Sequence, residues 1–477
     1  MLKPPLRPMP FRAQNPPWPA LKGTAVPRLV PGLLLALGML LAAAPAWARA
    51  SAPSWRESWS GSTDSAATAA LADSVRQDIE ILRALRFRHP VTAAIRSAGE
   101  LRATIEKDLA REGLSENLEH TQVFLRMVGL LPDSVALEET LVDVLLDQVA
   151  GYYDPRTKGL YMVNTEGPPL TPAARRLVIA HELAHAHDDQ RVSLDSLLHA
   201  APPTEDAQFA AAAVIEGSAT ELTVSYMRLM LSSGRLTKQD LRAWTRTEKQ
   251  RGAALLESPP YFQLLLARYG CGANFLLSGD LPEELQPPGG AEVGDLLPYI
   301  WAKMPRSSEQ ILHPEKYWEE SARDEPVAVD DEALQRVFAA AGAQVLETDT
   351  VGELLCAALA RPAGEPFDPM NAMADGEWTN EAAAGWGGDR FYLLGRAESG
   401  GAALPSARPA RPRGFWITLW DSPADRDEFM AAYAPLAEAR GAIQFLVGER
   451  TAVYAYGFPG VGRAAVEGIV TDLKAGA

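Results

Sequence analysis

Cysteine, histidine and positive charge are all scarce in this sequence. Two cysteines among 477 residues exclude a scaffold held together by disulfide bonds. Lysine and arginine number 45 against 61 aspartates and glutamates, and this net charge of −16 argues against nucleic acid as the main partner, because phosphate binding requires clustered positive charge. Hydrophobic residues (47%) and charged residues (22%) have ordinary frequencies, which excludes a mostly disordered chain and a polytopic membrane protein.

The first 48 residues have the three parts of a secretory signal peptide. Residues 1–28 contain five basic and no acidic side chains, an apolar run is densest from Gly32 to Ala44, and Ala46-Trp47-Ala48 forms a small-x-small cleavage site. The apolar part is shorter than the about 20 residues that span a bilayer. We therefore expect an exported protein, periplasmic or extracellular. The alternative is an N-terminal membrane anchor, if the segment is not cleaved.

Export leaves the state of the two cysteines open. An oxidising compartment permits a disulfide bond between Cys271 and Cys356. Free buried thiols are the alternative, because an unpaired cysteine behaves as a small hydrophobic residue.

Changes in composition divide the rest of the chain. Residues 49–74 are rich in serine and alanine and predict a flexible lead-in. Apolar residues at helical spacing then predict a mainly helical domain over residues 75–360, and a Pro/Gly-bearing acidic stretch predicts a linker at 361–385. Residues 386–477 alternate strand and helix patterns, as in a small α+β sandwich. The predicted fold class is α+β.

A β-hairpin and two long helices are predicted in the middle of the first domain. Aromatic and β-branched runs at 149–153 and 160–163 flank a turn that contains Pro155 and Gly159. Thr171-Pro172 then has the pattern of an N-cap followed by proline at the first helical position, and this helix should run to about Gln190. A second helix is predicted from roughly Glu205 to Leu231.

The first of these helices carries the sequence His181-Glu182-Leu183-Ala184-His185. Residues four apart on a helix project from one face, so both imidazoles can bind one tetrahedral Zn²⁺. Such an ion lowers the pKa of a water molecule, and Glu182 is placed to take the proton. Only seven histidines occur in the chain, which makes a chance match of this H-E-x-x-H spacing rare.

A catalytic zinc needs a third protein ligand, and Glu216 is the best candidate. It lies 31 residues after His185, on the following helix, where it interrupts the apolar run Phe209–Ile215. A carboxylate buried alone would be costly, and a metal would remove that cost. His187 points about 240° away from His181 around the helix and is not counted as a ligand. Three other side chains remain alternatives for the third ligand: Glu221, Asp195 and His199.

The motif and the glutamate on the next helix resemble the gluzincin zinc metallopeptidases. More narrowly, the chain is similar to a family of mostly uncharacterised secreted bacterial and archaeal zincin-like proteins. This resemblance covers most of residues 75–450 and implies a zincin-like metallopeptidase domain with one Zn²⁺ per chain. Gluzincins often have a carboxylate shortly after the third ligand that supports a ligand histidine, whereas position 220 is Thr here and the acid is Glu221. The matching segments are Gln148–Pro155, His181–Gln190, Glu216–Thr220, Pro305–Tyr317, Trp386–Arg390 and Trp420-Asp421.

Peptide hydrolysis also needs a donor for the developing oxyanion, and a group that orients the substrate. His313 and Tyr317 are one helical turn apart and are the candidate donors, with Arg306 a weaker one. A structural histidine that caps the turn before Pro314 is an equal alternative. The hairpin strand Leu160–Val163 could pair with an extended peptide as an edge strand, or be a plain structural edge.

These residues predict an exported zinc-dependent peptidase that acts on peptides or proteins. His181, His185 and Glu216 would hold the metal, and Glu182 would act as general base. The alternative is a zinc-stabilised binding or scaffold module without turnover, suggested by Thr220 and by a tail domain that has no recognisable chemistry. A helical interaction domain with an accidental metal motif is a third option.

Overall fold

Helices surround two separate small sheets, one of three strands and one of five, so the fold is α+β as expected. The computed structural model contains no helix, among the residues it describes, that is long and apolar enough to cross a membrane. The predicted signal peptide lies outside those residues, and so do most of the predicted linker and everything after 458. The described residues are 65–111, 114–164, 170–256, 258–287, 291–340, 342–362, 372, 377–396 and 412–458.

The first part of the chain contains three strands and thirteen α-helices within its described residues, and one short 3₁₀-helix at Glu283–Leu285. The strands are β1 (Thr92–Ser97), β2 (Gly151–Asp154) and β3 (Gly159–Asn164). The helices up to the metal-binding region are α1 (Ser65–Leu82), α2 (Ala98–Arg111), α3 (Leu114–Val128), α4 (Leu137–Gln148), α5 (Pro172–Asp189), α6 (Leu194–Ala200) and α7 (Glu205–Ser232). They are followed by α8 (Lys238–Leu256), α9 (Pro260–Leu264), α10 (Ala267–Leu277), α11 (Val293–Ala302), α12 (Ser308–Leu312) and α13 (Glu315–Trp318).

The predicted hairpin is confirmed, but its second strand is not an edge. The strand order is β1-β3-β2, and β1 pairs parallel to β3 with Ala93 opposite Leu160. The prediction that Leu160–Val163 offers a free edge to a peptide is therefore wrong, because β1 fills that edge. Pairing with a segment that lies 67 residues earlier in the chain cannot be recognised from the local sequence of β3.

Helix α1 begins at Ser65, so the predicted lead-in is too long by ten residues. Its buried side chains are Thr68, Ala72, Val75 and Ile79, which recur at helical spacing against the core. The first two of these residues, Thr68 and Ala72, are small and give only a weak hydrophobic pattern, although they pack closely. The start of the helix was therefore not recognised from the sequence.

The five-stranded sheet takes its first strand from the region before the predicted linker. β4 pairs antiparallel with β5, with Ala343 opposite Arg396, in the sheet order β4-β5-β6-β8-β7. The predicted domain boundary at 361–385 is therefore wrong, because it would cut this sheet in two. The elements of the C-terminal part are α14 (Asp331–Ala340), β4 (Ala343–Asp349), α15 (Gly352–Leu359), β5 (Trp386–Arg396), β6 (Arg413–Trp420), α16 (Pro423–Ala439), β7 (Ile443–Val447) and β8 (Thr451–Tyr456).

Asp389 ties this sheet to α15. Its carboxylate accepts hydrogen bonds from the backbone N–H groups of Val351 and Gly352, both at 2.8 Å, and from the indole N–H groups of Trp386 and Trp416. Four donors satisfy a carboxylate that is almost fully buried. The two parts of the chain also share one apolar core, which runs from the helices of the first part into the C-terminal sheet.

Both cysteines are buried as free thiols. Cys271 lies on α10 and Cys356 on α15, and each packs in the shared apolar core. The disulfide alternative is not realised, and both residues act as small hydrophobic side chains.

Candidate metal centre

Helix α5 forms as its end signals predict. The Thr171 hydroxyl accepts a hydrogen bond from the N–H of Ala174, Pro172 occupies the first turn, and the helix ends at Asp189. The segment from His181 to His185 is buried throughout. This places the whole motif in the interior, between the hairpin on one side and α7 on the other.

Three of the predicted ligands meet at one point. The Nε2 atom of His181 lies 3.2 Å from Oε2 of Glu216, and Nε2 of His185 lies 3.4 Å from the same oxygen. Four ligands placed 2.0–2.1 Å from a zinc ion are about 3.3 Å apart in a tetrahedron. These three residues, which we call the triad, therefore have the spacing that one small metal ion requires.

Glu216 reaches the triad because α7 can approach its neighbours very closely. Alanines and small residues fill the buried face of α7, and Gly217 meets Gly272 of α10 with backbone against backbone. A Cβ atom at either glycine would overlap main-chain atoms of the other helix, namely the carbonyl of Ala213 in the case of Gly272. The position of the third ligand therefore depends on this contact between α7 and α10.

The alternatives for the third ligand are engaged elsewhere. Glu221 accepts hydrogen bonds from Arg83, at 3.4 Å, and from the hydroxyl of Ser225, at 2.7 Å. Asp195 and His199 lie on α6 and contact each other. His187, which the sequence excluded, turns its Nε2 to the carbonyl of Leu85 at 3.1 Å. Of the four candidates for the third ligand, Glu216 is the one that lies beside the two histidines.

The pKa values of the two glutamates at this site are shifted in opposite directions. Burial alone would raise the pKa of Glu216, but the two neighbouring histidines lower it to about 2. This carboxyl group is therefore an anion at neutral pH, as a metal ligand must be. Burial raises the pKa of Glu182 to about 8, against the opposing effects of His185 and of the Tyr153 N–H.

The backbone of the β-hairpin positions the carboxylate of Glu182. Its Oε2 atom accepts a hydrogen bond of 2.8 Å from the backbone N–H of Tyr153, in β2. The strand can lie this close to α5 because Gly151 has no side chain, and a Cβ there would come within 2.8 Å of Val178. The second oxygen of Glu182, Oε1, is buried without a hydrogen-bond partner in the described part of the chain.

Tyr269 is a site residue that the sequence did not reveal. Its ring centroid lies 6.0 Å from that of His181, and its hydroxyl is buried and makes no hydrogen bond within the described residues. Burial raises the pKa of Tyr269 well above its ordinary value, and the nearby charges of Glu216 and Glu182 add to the shift. The hydroxyl therefore carries its proton, and it is a free donor beside the triad.

The predicted oxyanion donors are not brought to the triad. His313 pairs through Nε2 with Glu353 at 2.9 Å, and the Tyr317 hydroxyl donates to the carbonyl of Lys303 at 2.6 Å. Arg306 contacts Glu325 at the surface. The structure supports the alternative that His313 is a structural residue, because its ring nitrogen binds the buried carboxylate of Glu353, which also accepts a hydrogen bond from the hydroxyl of Thr379.

Several buried polar atoms at the triad have no hydrogen-bond partner among the described residues, and a metal ion and a water molecule could supply one. They are Nε2 of His185, Oε1 of Glu216, Oε1 of Glu182 and the hydroxyl of Tyr269. Native interiors leave few polar atoms unpaired, so a group of four such atoms is available to bind a ligand. Two imidazoles and one carboxylate are also a donor set that suits Zn²⁺.

A second acidic cluster does not resemble a metal site. Glu309, Asp324 and Asp421 lie close together, but the ammonium group of Lys316 sits among them, 2.5 Å from Glu309 and 3.3 Å from each of the other two. A side-chain cation already compensates their charge.

Comparison with known proteins gives one partial match. The family model described as "Domain of unknown function (DUF8575)" matches residues 336–469, so this part of the chain is similar to that family. The matched range includes β4 as well as the strands after the predicted linker, in agreement with their common sheet. No curated protein and no solved structure matches the chain.

Proposed function

We propose that the protein is an exported zinc-dependent peptidase whose reaction takes place at the triad. The observation that carries this proposal is the convergence of His181, His185 and Glu216 at the ligand spacing of a tetrahedral ion, with two unpartnered oxygen atoms beside them. Those oxygens belong to Glu182 and Tyr269. The resemblance to zincin-like metallopeptidases supports the same assignment.

Glu182 and Tyr269 have different roles in the proposed peptide hydrolysis, and both act beside the metal. Zn²⁺, when bound, would polarise the scissile carbonyl and lower the pKa of a water molecule. Glu182, whose ionised form a nearby Zn²⁺ would favour, takes a proton at Oε1 and passes it to the leaving amine, while its Oε2 is held by the Tyr153 N–H. Tyr269 donates its hydrogen bond to the oxygen on which negative charge develops.

A zinc-stabilised module without turnover is the weaker proposal. Structural zinc sites are closed by four protein ligands, whereas three converge here within the described residues. A site that only stabilises the fold also has no use for a buried carboxylate oxygen and a buried hydroxyl that are both unpaired. Their burial without partners is costly unless they act on a bound molecule.

Metal content tests the ligand assignment. We expect the mature protein, purified without added metal, to contain one zinc per chain, and we expect Glu216→Ala to lose it, because two imidazoles alone bind zinc much more weakly. Elemental mass spectrometry measures both. Glu221→Ala is the matched control, since that carboxylate lies on the same helix but binds Arg83, and it should keep its zinc. Zinc retained in Glu216→Ala would show that Glu216 is not a zinc ligand.

Tyr269→Phe tests the proposed donor. Loss of one oxyanion donor lowers kcat by roughly 10²–10³-fold, and we expect that decrease with unchanged zinc content and little change in KM. The variant should be at least as stable as the parent, because it removes an unpaired buried hydroxyl. The control is Tyr454→Phe, which removes another unpaired buried hydroxyl from β8 and should leave kcat unchanged. Equal kcat in both variants would exclude the role.

A further inference from the structure

The two helices that carry the metal ligands, α5 and α7, meet through small side chains. Ala180 and Ala184 of α5 pack in the same apolar cluster as Ala219 of α7, and all three are completely buried. Small side chains form shallow ridges, which hold one helix in place along another less firmly than large interlocking ones. A directional contact is therefore needed to fix the position of α7 along α5.

Glu216 depends on that position more than the other two ligands do. His181 and His185 lie on one helix, so the helical repeat sets their spacing. Oε1 of Glu216 makes no hydrogen bond with the described residues, and its Oε2 contacts the two histidines themselves. The place of the Glu216 carboxylate thus follows from the place of the α7 backbone.

A buried hydrogen bond joins the two helices beside the triad. The hydroxyl of Ser218 donates to Oδ2 of Asp188 at 2.6 Å. Ser218 lies two residues after Glu216 on α7. Asp188 lies three residues after His185 on α5. The bond is therefore within one helical turn of a ligand on each helix, and the burial of both partners keeps water from competing for it.

Arg83, which directly follows α1, completes this contact. Its Nη2 atom donates to the hydroxyl oxygen of Ser218 at 2.8 Å and to the Ser218 carbonyl oxygen at 3.2 Å, whereas its contact with Glu221 is longer, at 3.4 Å. Burial alone would raise the pKa of Asp188, but His187 and Arg83 hold it below its ordinary value. The Ser218 hydroxyl thus accepts from a cation and donates to an anion, and charge-assisted hydrogen bonds are the strong ones.

We propose that Asp188, Ser218 and Arg83 are positioning residues that fix α7 against α5 and thereby place Glu216 for the metal. These three residues, which we call the clamp, act through the backbone of α7, and none of them belongs to the triad. The proposal rests on the zinc site of the proposed function, but it does not depend on hydrolysis.

The zinc affinity of Ser218→Ala tests the clamp. The substitution removes the bond between the helices, and we expect affinity to fall roughly tenfold, the lower end of the range for groups that support metal ligands. Competition with a chelating dye measures it. Ser225→Ala is the matched control on the same helix, because the Ser225 hydroxyl also donates to a carboxylate, that of Glu221, but within α7. The control should keep the affinity of the parent.

A double-mutant cycle shows whether Asp188 and Ser218 act as one contact. Asp188→Ala should weaken zinc binding at least as much as Ser218→Ala, because it removes the same bond together with the charge that faces Arg83. The double variant should bind zinc as Asp188→Ala does, since the second change removes a bond that is already lost. Losses that multiply in the double variant would mean that the two residues act independently, and would overturn the clamp.

Unfolding temperatures with and without zinc separate positioning from a merely structural role. A structural bond would stabilise the metal-free and the zinc-bound protein equally, so the rise that zinc produces would be the same in Ser218→Ala and in the parent. The clamp predicts a smaller rise in the variant, because weaker binding stabilises less. Arg83→Lys covers the case in which Ser218→Ala does not fold: lysine keeps the charge but lacks the planar fork, and this variant should also bind zinc more weakly than the parent.

The outcomes distinguish the clamp from the proposed function. Parent-like zinc affinity in Ser218→Ala, or in Arg83→Lys if the alanine variant does not fold, overturns the clamp and leaves the zinc site intact. A parent protein that binds no zinc overturns both. A clamp confirmed by affinity in a zinc-loaded parent that cleaves no peptide would stand without the peptidase assignment.

Discussion

Glu182→Gln is expected to lower peptide hydrolysis by roughly 10²–10⁴-fold, the range for loss of a general base. Glutamine keeps the shape of the side chain, and its amide oxygen still accepts the hydrogen bond from the Tyr153 N–H. What it loses is the ability to take a proton at the second oxygen. The measurement is the rate of cleavage of casein and of fluorogenic peptides, together with zinc content and unfolding temperature.

The matched control for this change is Glu221→Gln. Glu221 undergoes the same chemical change and lies on α7, but its carboxylate binds Arg83 and Ser225 rather than the triad. Its rate should stay within about twofold of the parent, as for a residue outside the reacting groups. A zinc-loaded Glu182→Gln protein that keeps most of the parent activity would contradict the assigned mechanism. A zinc-loaded parent with no cleavage at all would favour the scaffold alternative.

The parts of the site that could be predicted from the sequence are those that depend on the spacing of neighbouring residues. His181, Glu182 and His185 share one helix, so their mutual geometry follows from the helical repeat. Glu216 was recognisable because a lone carboxylate interrupts an apolar run on the next helix. The hairpin and the cap at Thr171 also rest on neighbouring residues, and the structure confirms them.

The parts that the sequence could not predict depend on contacts between distant segments. Tyr269 follows His181 by 88 residues and lies in an apolar helix, where an aromatic side chain has no distinguishing pattern. His313 and Tyr317 had the spacing of a donor pair, but their spacing says nothing about the carboxylate and carbonyl that they bind. The pairing of β4 with β5 could not be predicted for the same reason, because β5 lies beyond the predicted linker.

Gly272→Ala is expected to destabilise the fold by more than about 3 kcal/mol, above the usual range for overpacking. A Cβ at this position would overlap the carbonyl oxygen of Ala213, and the nearest atoms belong to the backbone of α7, which cannot move aside as a side chain can. Urea unfolding at fixed zinc concentration measures the loss. Gly99→Ala is the control, because its Cβ would meet no atom closer than 4.0 Å and alanine favours helix, so its stability should be equal or higher.

The same substitution should also weaken zinc binding, which connects the helix contact to the metal. Relief of the overlap at Gly272 requires α7 and α10 to separate, and Glu216 directly precedes the glycine of α7 that forms the other half of the contact. A shift of about 1 Å in one ligand is large compared with the few tenths of an ångström that a zinc site tolerates, so we expect at least a roughly tenfold loss of affinity. Competition with a chelating dye measures it on the fraction that remains folded. A Gly272→Ala protein with the zinc affinity and stability of the parent would mean that the two helices can separate freely, and that the position of Glu216 is set by other contacts.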